Sequence, residues 1–166
     1  IKNPELAILS RTFGNWQLYN LGPYSIEKKS ISLLNWNVDP RYTNANYTLE
    51  SDESHLFLQL YPTNDTSRVT IVSYKVPELN LSNYHYIKIK LKGTNNARVL
   101  IRFILNDGNS FDVSYWKDPY TCSVPFDLKP YSGKTLRGEV YIGLKSSDGL
   151  ATSITIFEIS FIKLVD

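Results

Sequence analysis

Alternation with a period of two runs through most of this chain and limits its fold more than any other feature. In residues 55–61, Leu56, Leu58 and Leu60 share one face; in 86–92, Ile87, Ile89 and Leu91 alternate with Lys88, Lys90 and Lys92. Successive side chains of a strand point to opposite faces, so this spacing predicts strands with one face buried and one solvated. Residues 98–106 place Val99, Ile101, Phe103 and Leu105 inward but carry Arg98, Leu100, Arg102 and Ile104 on the other side, a mixture that predicts a partly covered outer face. Further strands are predicted at 68–75, 110–116, 124–128, 139–146 and 153–163, with weaker ones at 15–20, 30–36 and 47–50. Between them lie Asn106-Asp107-Gly108, Ser132-Gly133 and Ser147-Asp148-Gly149, residues that tolerate positive φ, while Pro77, Pro119, Pro125 and Pro130 mark strand edges and connections. No segment carries a capped apolar stripe of helical period, so helix content should be low.

Roughly ten strands without an internal repeat exclude propellers and solenoids and predict an all-β, two-sheet antiparallel β-sandwich, a single domain spanning residues 1–166. A jelly-roll topology is favoured over an immunoglobulin one, because the chain is longer than the latter and lacks its Cys and Trp arrangement. Residues 4–40 are the least regular and contain Trp16, Tyr19, Tyr24 and Trp36. They read either as a wrap with loops at one end or as an irregular first pair of strands. The chain begins with Ile1 and has no Met, which reads as a processed product or part of a longer polypeptide.

Charge narrows the partners. Eighteen basic and 16 acidic residues leave +2, with no Lys or Arg run, so a nucleic-acid backbone has no evident electrostatic counterpart. Apolar runs such as 99–105 are far shorter than the roughly 20 residues that cross a bilayer, so membrane insertion is not expected. The lone Cys122 cannot close an internal disulfide and has no neighbouring His or Lys to activate it. The sequons at Asn46, Asn64 and Asn80 suit an extracellular or cell-surface protein.

Catalysis finds little support. His55 and His85 each precede a strand with no nucleophile set beside a Gly-rich elbow, and one Cys with two distant His gives no zinc spacing. Glycoside hydrolysis needs two carboxylates, but none of Asp107, Asp112, Asp118, Asp127, Glu139, Asp148 and Glu158 forms a pair by spacing. The expectation is a protein that is not an enzyme.

A longer pattern covers about the C-terminal two thirds. It runs Asn80-Leu81-Ser82-Asn83-Tyr84-His85-Tyr86-Ile87-Lys88-Ile89-Lys90, then Phe103-Ile104-Leu105-Asn106-Asp107-Gly108, then Phe126-Asp127-Leu128 with Pro130-Tyr131-Ser132-Gly133. It continues through Val140-Tyr141-Ile142-Gly143-Leu144 and closes on Ile154-Thr155-Ile156-Phe157-Glu158-Ile159-Ser160-Phe161. This order resembles the galactose-binding-like β-sandwiches, in particular the carbohydrate-binding modules attached to glycoside hydrolases. The resemblance implies a non-catalytic domain that recognises a polysaccharide or glycan, with an appended catalytic domain as a partner, and gives Asp127 a structural role. It also implies a structural Ca²⁺ between the N-terminal segment and paired acids of the last strand, where this chain offers only Glu158 and the terminal Asp166.

The aromatic content of 13%, with 12 Tyr, supplies material for such a site. A sugar ring has an apolar CH face and a rim of hydroxyls, which suit an aromatic platform flanked by planar hydrogen-bonding groups. Trp116 with Tyr115 and Tyr120 forms the first candidate platform, at a strand end; Arg102, Tyr141, Gln59 and Tyr74 are candidates on a strand face turned away from the core. The expected ligand is a neutral or weakly acidic polysaccharide. The alternative is a glycosylated surface-layer or filament subunit, in which residues 5–10 complete the sheet of a neighbouring subunit.

Overall fold

The computed structural model describes residues 8–13, 16–20, 25–116 and 125–165. Its strands are β1 (Ile8–Phe13), β2 (Trp16–Asn20), β3 (Ser25–Ser30), β4 (Asn37–Val38), β5 (Asn46–Ser51), β6 (Leu56–Tyr61), β7 (Arg68–Ser73), β8 (Tyr86–Gly93), β9 (Ala97–Leu105), β10 (Ser110–Trp116), β11 (Pro125–Asp127), β12 (Leu136–Ser146) and β13 (Thr152–Val165). Between them, among the described residues, stand only single 3₁₀ turns such as Pro40–Tyr42 and Leu81–Asn83. Two antiparallel sheets form the sandwich. One runs β10-β9-β12-β7-β4; the other runs β11-β8-β13-β6-β5, with β3 beside the far half of β13.

The alternation read from the sequence decides which side chains meet between the sheets. Val99, Ile101, Phe103 and Leu105 of β9 face Ile87, Ile89 and Leu91 of β8 and Leu56, Leu58 and Leu60 of β6 within one continuous buried core. Phe103 stacks on Phe111 at 5.0 Å between ring centroids and meets Phe161 of the opposite sheet edge-on at 5.9 Å. Phe111 in turn stacks on Tyr131 at 4.3 Å and on Phe126 at 5.7 Å. Such rings add attraction to the area they bury, and here they join the two sheets at one end.

Among the first forty residues, β2 (Trp16–Asn20) falls on the strand expected at 15–20, whereas the strand expected at 30–36 is not formed. Residues 30–36 are not a strand: β3 ends at Ser30, and the chain turns at Asn35, whose φ is 63°. Ile31, Leu33 and Trp36 are nevertheless buried, and the Trp36 indole donates to the Ser32 carbonyl at 3.1 Å. An irregular segment packed on the core therefore imitates the spacing of a strand. Residues 8–10 belong to a hairpin in which Ile8 and Leu9 pair with Asn20 and Tyr19, so this part of the expected donor segment already has a strand partner. Residues 5–7 lie outside the described residues.

Connections are held by carboxylates acting as turn acceptors. Asp52 accepts from the Ser54 hydroxyl, the Ser54 N–H and the His55 N–H at 2.7–2.8 Å. These bonds, led by the Ser54 hydroxyl, lower its pKa to about 2. Asp107 is likewise held at about 2, first by the Lys134 ammonium at 2.6 Å and then by the Asn109 N–H. Both folded values lie below the ordinary carboxylate value near 3.9, so their contribution is complete above about pH 4 and disappears as pH falls toward 2. The urea midpoint should hold steady from about pH 7 to 5 and drop from about pH 4 to 2, and Asp107→Asn should reduce that drop. An undiminished drop in the variant would contradict the assignment.

Candidate functional site

The outer face of the five-stranded sheet carries a groove of about 610 Å³. Its floor is built from the outward positions of three adjacent strands: Arg98, Leu100, Arg102 and Ile104 of β9, Tyr141, Gly143 and Lys145 of β12, and Arg68 and Thr70 of β7. The mixed outer face of β9 is thus explained, since Leu100 and Ile104 are half-buried in the groove floor.

One wall is the turn at Pro40–Tyr42. Asp39 caps it, accepting from the Arg41 N–H at 3.0 Å, and Pro40 fixes the backbone at the first turn position. The turn is fastened to β7: the Asp39 N–H donates to the Thr70 carbonyl at 2.8 Å, and Arg68 Nε and the Thr70 hydroxyl both donate to the Tyr42 carbonyl at 3.2 Å. Asp39 is buried, with 2% of its side chain exposed, while Arg41 is 63% exposed. The buried carboxylate grips the guanidinium at Nε (3.0 Å) and Nη2 (2.7 Å). The Arg41 hydrogen bonds hold the Asp39 pKa below the usual carboxylate range against the opposing effect of burial.

A second fork lies across the groove. Arg102 and Asp112 face each other in register on β9 and β10, with Nε–Oδ1 and Nη2–Oδ2 both 2.8 Å. Bidentate pairs of this kind fix the plane of a guanidinium as well as its charge. Between the forks lie two tyrosines. Tyr42 is 47% exposed, with the Arg41 guanidinium 5.5 Å from its ring centre. Tyr141 donates to Glu139 at 3.2 Å; burial first, then the Glu139 carboxylate and the Tyr74 hydroxyl, push its pKa up to about 12. Its hydroxyl therefore stays protonated through neutral pH. Tyr74 stands nearby and is more than half exposed.

Of the residues singled out in the sequence, Arg102 and Tyr141 meet in this groove. Gln59 does not. It lies on β6 of the other sheet, where its side-chain carbonyl accepts from the Tyr61 hydroxyl at 3.0 Å, because alternation separates inside from outside but does not say which sheet a strand joins. Tyr115 and Trp116 occupy register positions at the end of β10 opposite Val99 and Arg98. Tyr120 lies outside the described residues, as does Cys122. Tyr42 and Arg41 were not anticipated; the Asp39-Pro40 step announces a turn, but nothing local announces which strand it rests on.

Asp52, Ser54 and His55 lie close together but do not form a catalytic triad. Ser54 Oγ at 3.1 Å and Asp52 Oδ2 at 3.0 Å both meet the same ring nitrogen, Nδ1, which leaves no Ser-to-Nε2 relay. His85 uses Nδ1 to accept from the Leu164 N–H at 3.1 Å. Asp127 caps a turn by accepting from the Lys129 N–H at 2.9 Å, which agrees with a structural role.

The acid of the last strand does not fit a Ca²⁺ site. Glu158 pairs with Lys28 at 3.0 Å and Lys88 at 3.5 Å and accepts from the Ser160 hydroxyl at 2.7 Å. Burial alone would raise its pKa; Ser160 and the two ammonium groups outweigh burial and lower it. Two positive charges already stand where a divalent cation would approach, and Asp166 lies outside the described residues. No cluster of three metal-binding side chains occurs among the described residues.

No family model matches the chain, and no curated protein does. Solved structures do match. A family 11 carbohydrate-binding module of a cellulosomal cellulase from Clostridium thermocellum superposes with a TM-score of 0.51 at 13% identity, over 86% of this chain and 98% of that one. A mutant of a family 29 carbohydrate-binding module gives 0.51 at 10% identity, over 83% and 92%. A family 28 module described as specific for non-crystalline cellulose gives 0.52 at 12% identity, over 76% and 86%. The chain has the β-sandwich fold of carbohydrate-binding modules. At these identities the likeness is one of fold, so the carbohydrate-binding-module architecture says where strands and loops lie, and the groove residues must speak for the chemistry.

Proposed function

We propose that the chain is a non-catalytic, extracellular polysaccharide-binding domain whose site is the groove between the Arg41–Asp39 and Arg102–Asp112 forks. The observation that carries this reading is the pairing of ring faces with fixed planar donors: Tyr42 and Tyr141 beside two guanidiniums, each clamped by a carboxylate. Rings match the CH face of a sugar, and guanidiniums match its hydroxyl rim. Because the forks are set before binding, little side-chain entropy is lost on contact. An open groove suits an internal stretch of a chain better than a single sugar. The Asn residues of all three sequons are exposed, which accords with an extracellular setting, and a polysaccharide-degrading domain elsewhere on the polypeptide is the partner such a module would serve.

Shallow sugar sites bury little area, so dissociation constants should fall in the micromolar to millimolar range, about 4–8 kcal/mol. Isothermal titration against soluble β-glucan, galactomannan, xylan, polygalacturonate and alginate tests the reading. At least one should bind in that range, and Tyr42→Ala should weaken that binding about tenfold or more without lowering the thermal midpoint. Absence of binding to every polymer would overturn the function; binding unaffected by Tyr42→Ala would move the site elsewhere.

A further inference from the structure

The near-balance of charge over the whole chain conceals a strong local imbalance. Five cationic side chains, Arg41, Arg68, Arg98, Arg102 and Lys145, line the groove, and among the described residues no carboxylate lines it. Two of the five are committed to Asp39 and Asp112. Lys145 of β12 stands directly opposite Arg68 of β7 on one side and directly opposite Arg98 of β9 on the other, which sets three cationic residues in a row across three strands. All three are exposed. Among the described residues neither Arg68 nor Lys145 forms an ion pair; Arg68 Nε is spent on the Tyr42 carbonyl.

Like charges in directly opposed positions of a sheet destabilise it, and ordinary sheet surfaces alternate signs instead. The six-stranded sheet does so at its own surface, where Lys88 and Lys28 flank Glu158. Three cations abreast at a groove, beside two tyrosines, have the arrangement of an anion-binding row next to a sugar-stacking surface. From this we infer that the groove selects an acidic polysaccharide, with a carboxylate or sulfate of the glycan lying over the Arg68–Lys145–Arg98 row while neighbouring rings pass over Tyr42 and Tyr141. The inference rests on the function proposed above and names the class of glycan. The row spans three strands, so one anionic group can engage more than one cation. Gly143, the next outward position of β12, has no side chain and keeps the floor low between the row and the tyrosines.

The test compares polygalacturonate and alginate, which carry carboxylates, and dextran sulfate, which carries sulfates, with neutral galactomannan and β-glucan. Binding is measured at about 20 mM and about 500 mM NaCl, where screening lengths differ severalfold. An acidic polymer should bind about tenfold or more tightly than either neutral one at low salt, and should lose most of that advantage at high salt. Lys145→Gln should lower the acidic-to-neutral preference several-fold, with a thermal midpoint at or above that of the native chain, since it removes a cross-strand repulsion. The carboxylate and sulfate arms identify the anionic group. Equal binding of neutral and acidic chains would overturn the inference and leave the polysaccharide function standing. Binding of no polysaccharide would remove both. Tighter binding of an oligodeoxythymidine than of any acidic glycan would assign the row to nucleic acid and overturn the inference as well.

Discussion

Gly143→Val is expected to separate binding from stability. Gly143 lies at the centre of the groove floor, with Thr70 and Leu100 as its cross-strand neighbours. A Cβ at this position would stand 3.8 Å from the Thr70 hydroxyl and 3.9 Å from the Leu100 carbonyl, ordinary contact distances, so valine fits the backbone without displacing it. Its two methyl groups would then project into the space between Tyr141 and Lys145. Polysaccharide affinity should fall at least about tenfold, because the sugar can no longer reach the ring and the cation together. Stability should rise by about 0.5–1 kcal/mol, since a strand interior gains from replacing glycine with a β-branched residue. Calorimetric binding and urea unfolding on the same preparation check both halves. Retention of full affinity would show that the ligand does not cross the groove floor, whatever the stability.

The largest loss of stability should come from Phe103→Ala. Phe103 is fully buried, stacks on Phe111 in its own sheet and meets Phe161 of the other sheet. Truncation removes the ring from both contacts and leaves a cavity between sheets that cannot close without shifting β9, which holds both neighbours of the groove, Arg98 and Arg102. The expected cost is about 3–5 kcal/mol, which for a domain of this size lowers the thermal midpoint by roughly 6–20 °C. Phe103→Leu, which keeps most of the volume, should cost clearly less. A urea midpoint that falls with an unchanged slope would report lost packing, while a loss below about 1 kcal/mol would mean the aromatic bridge does not join the sheets.

The two effects are not visible from local sequence to the same degree. The burial of Phe103 follows from alternation with Val99, Ile101 and Leu105, and its effect can be anticipated from the sequence alone. The role of Gly143 cannot. On the sequence it is a glycine in the middle of a strand; its meaning depends on Arg102, Arg68 and Tyr42, which are far apart along the chain and meet only once β12 lies between β7 and β9. The same holds for Lys145, an unremarkable lysine until its two cross-strand partners prove to be arginines. Gln59 shows the converse: it shares the outward parity of Arg102 and Tyr141 and still lies on the opposite surface of the sandwich.

The sequence by itself determined that the chain is a β-sandwich, which strand faces are buried, and where most turns fall, because those properties depend on residues two to four apart and on the solvation of one face at a time. It also marked Arg102 and Tyr141 as outward-facing groups, and both line the groove. The tertiary structure alone decided the order of strands within each sheet, and with it the groove, the Arg41–Tyr42 wall and the row of three cations. Strand order rests on hydrogen bonds between backbones that all carry the same donors and acceptors, so no local residue pattern encodes it; it is chosen by how the whole core packs.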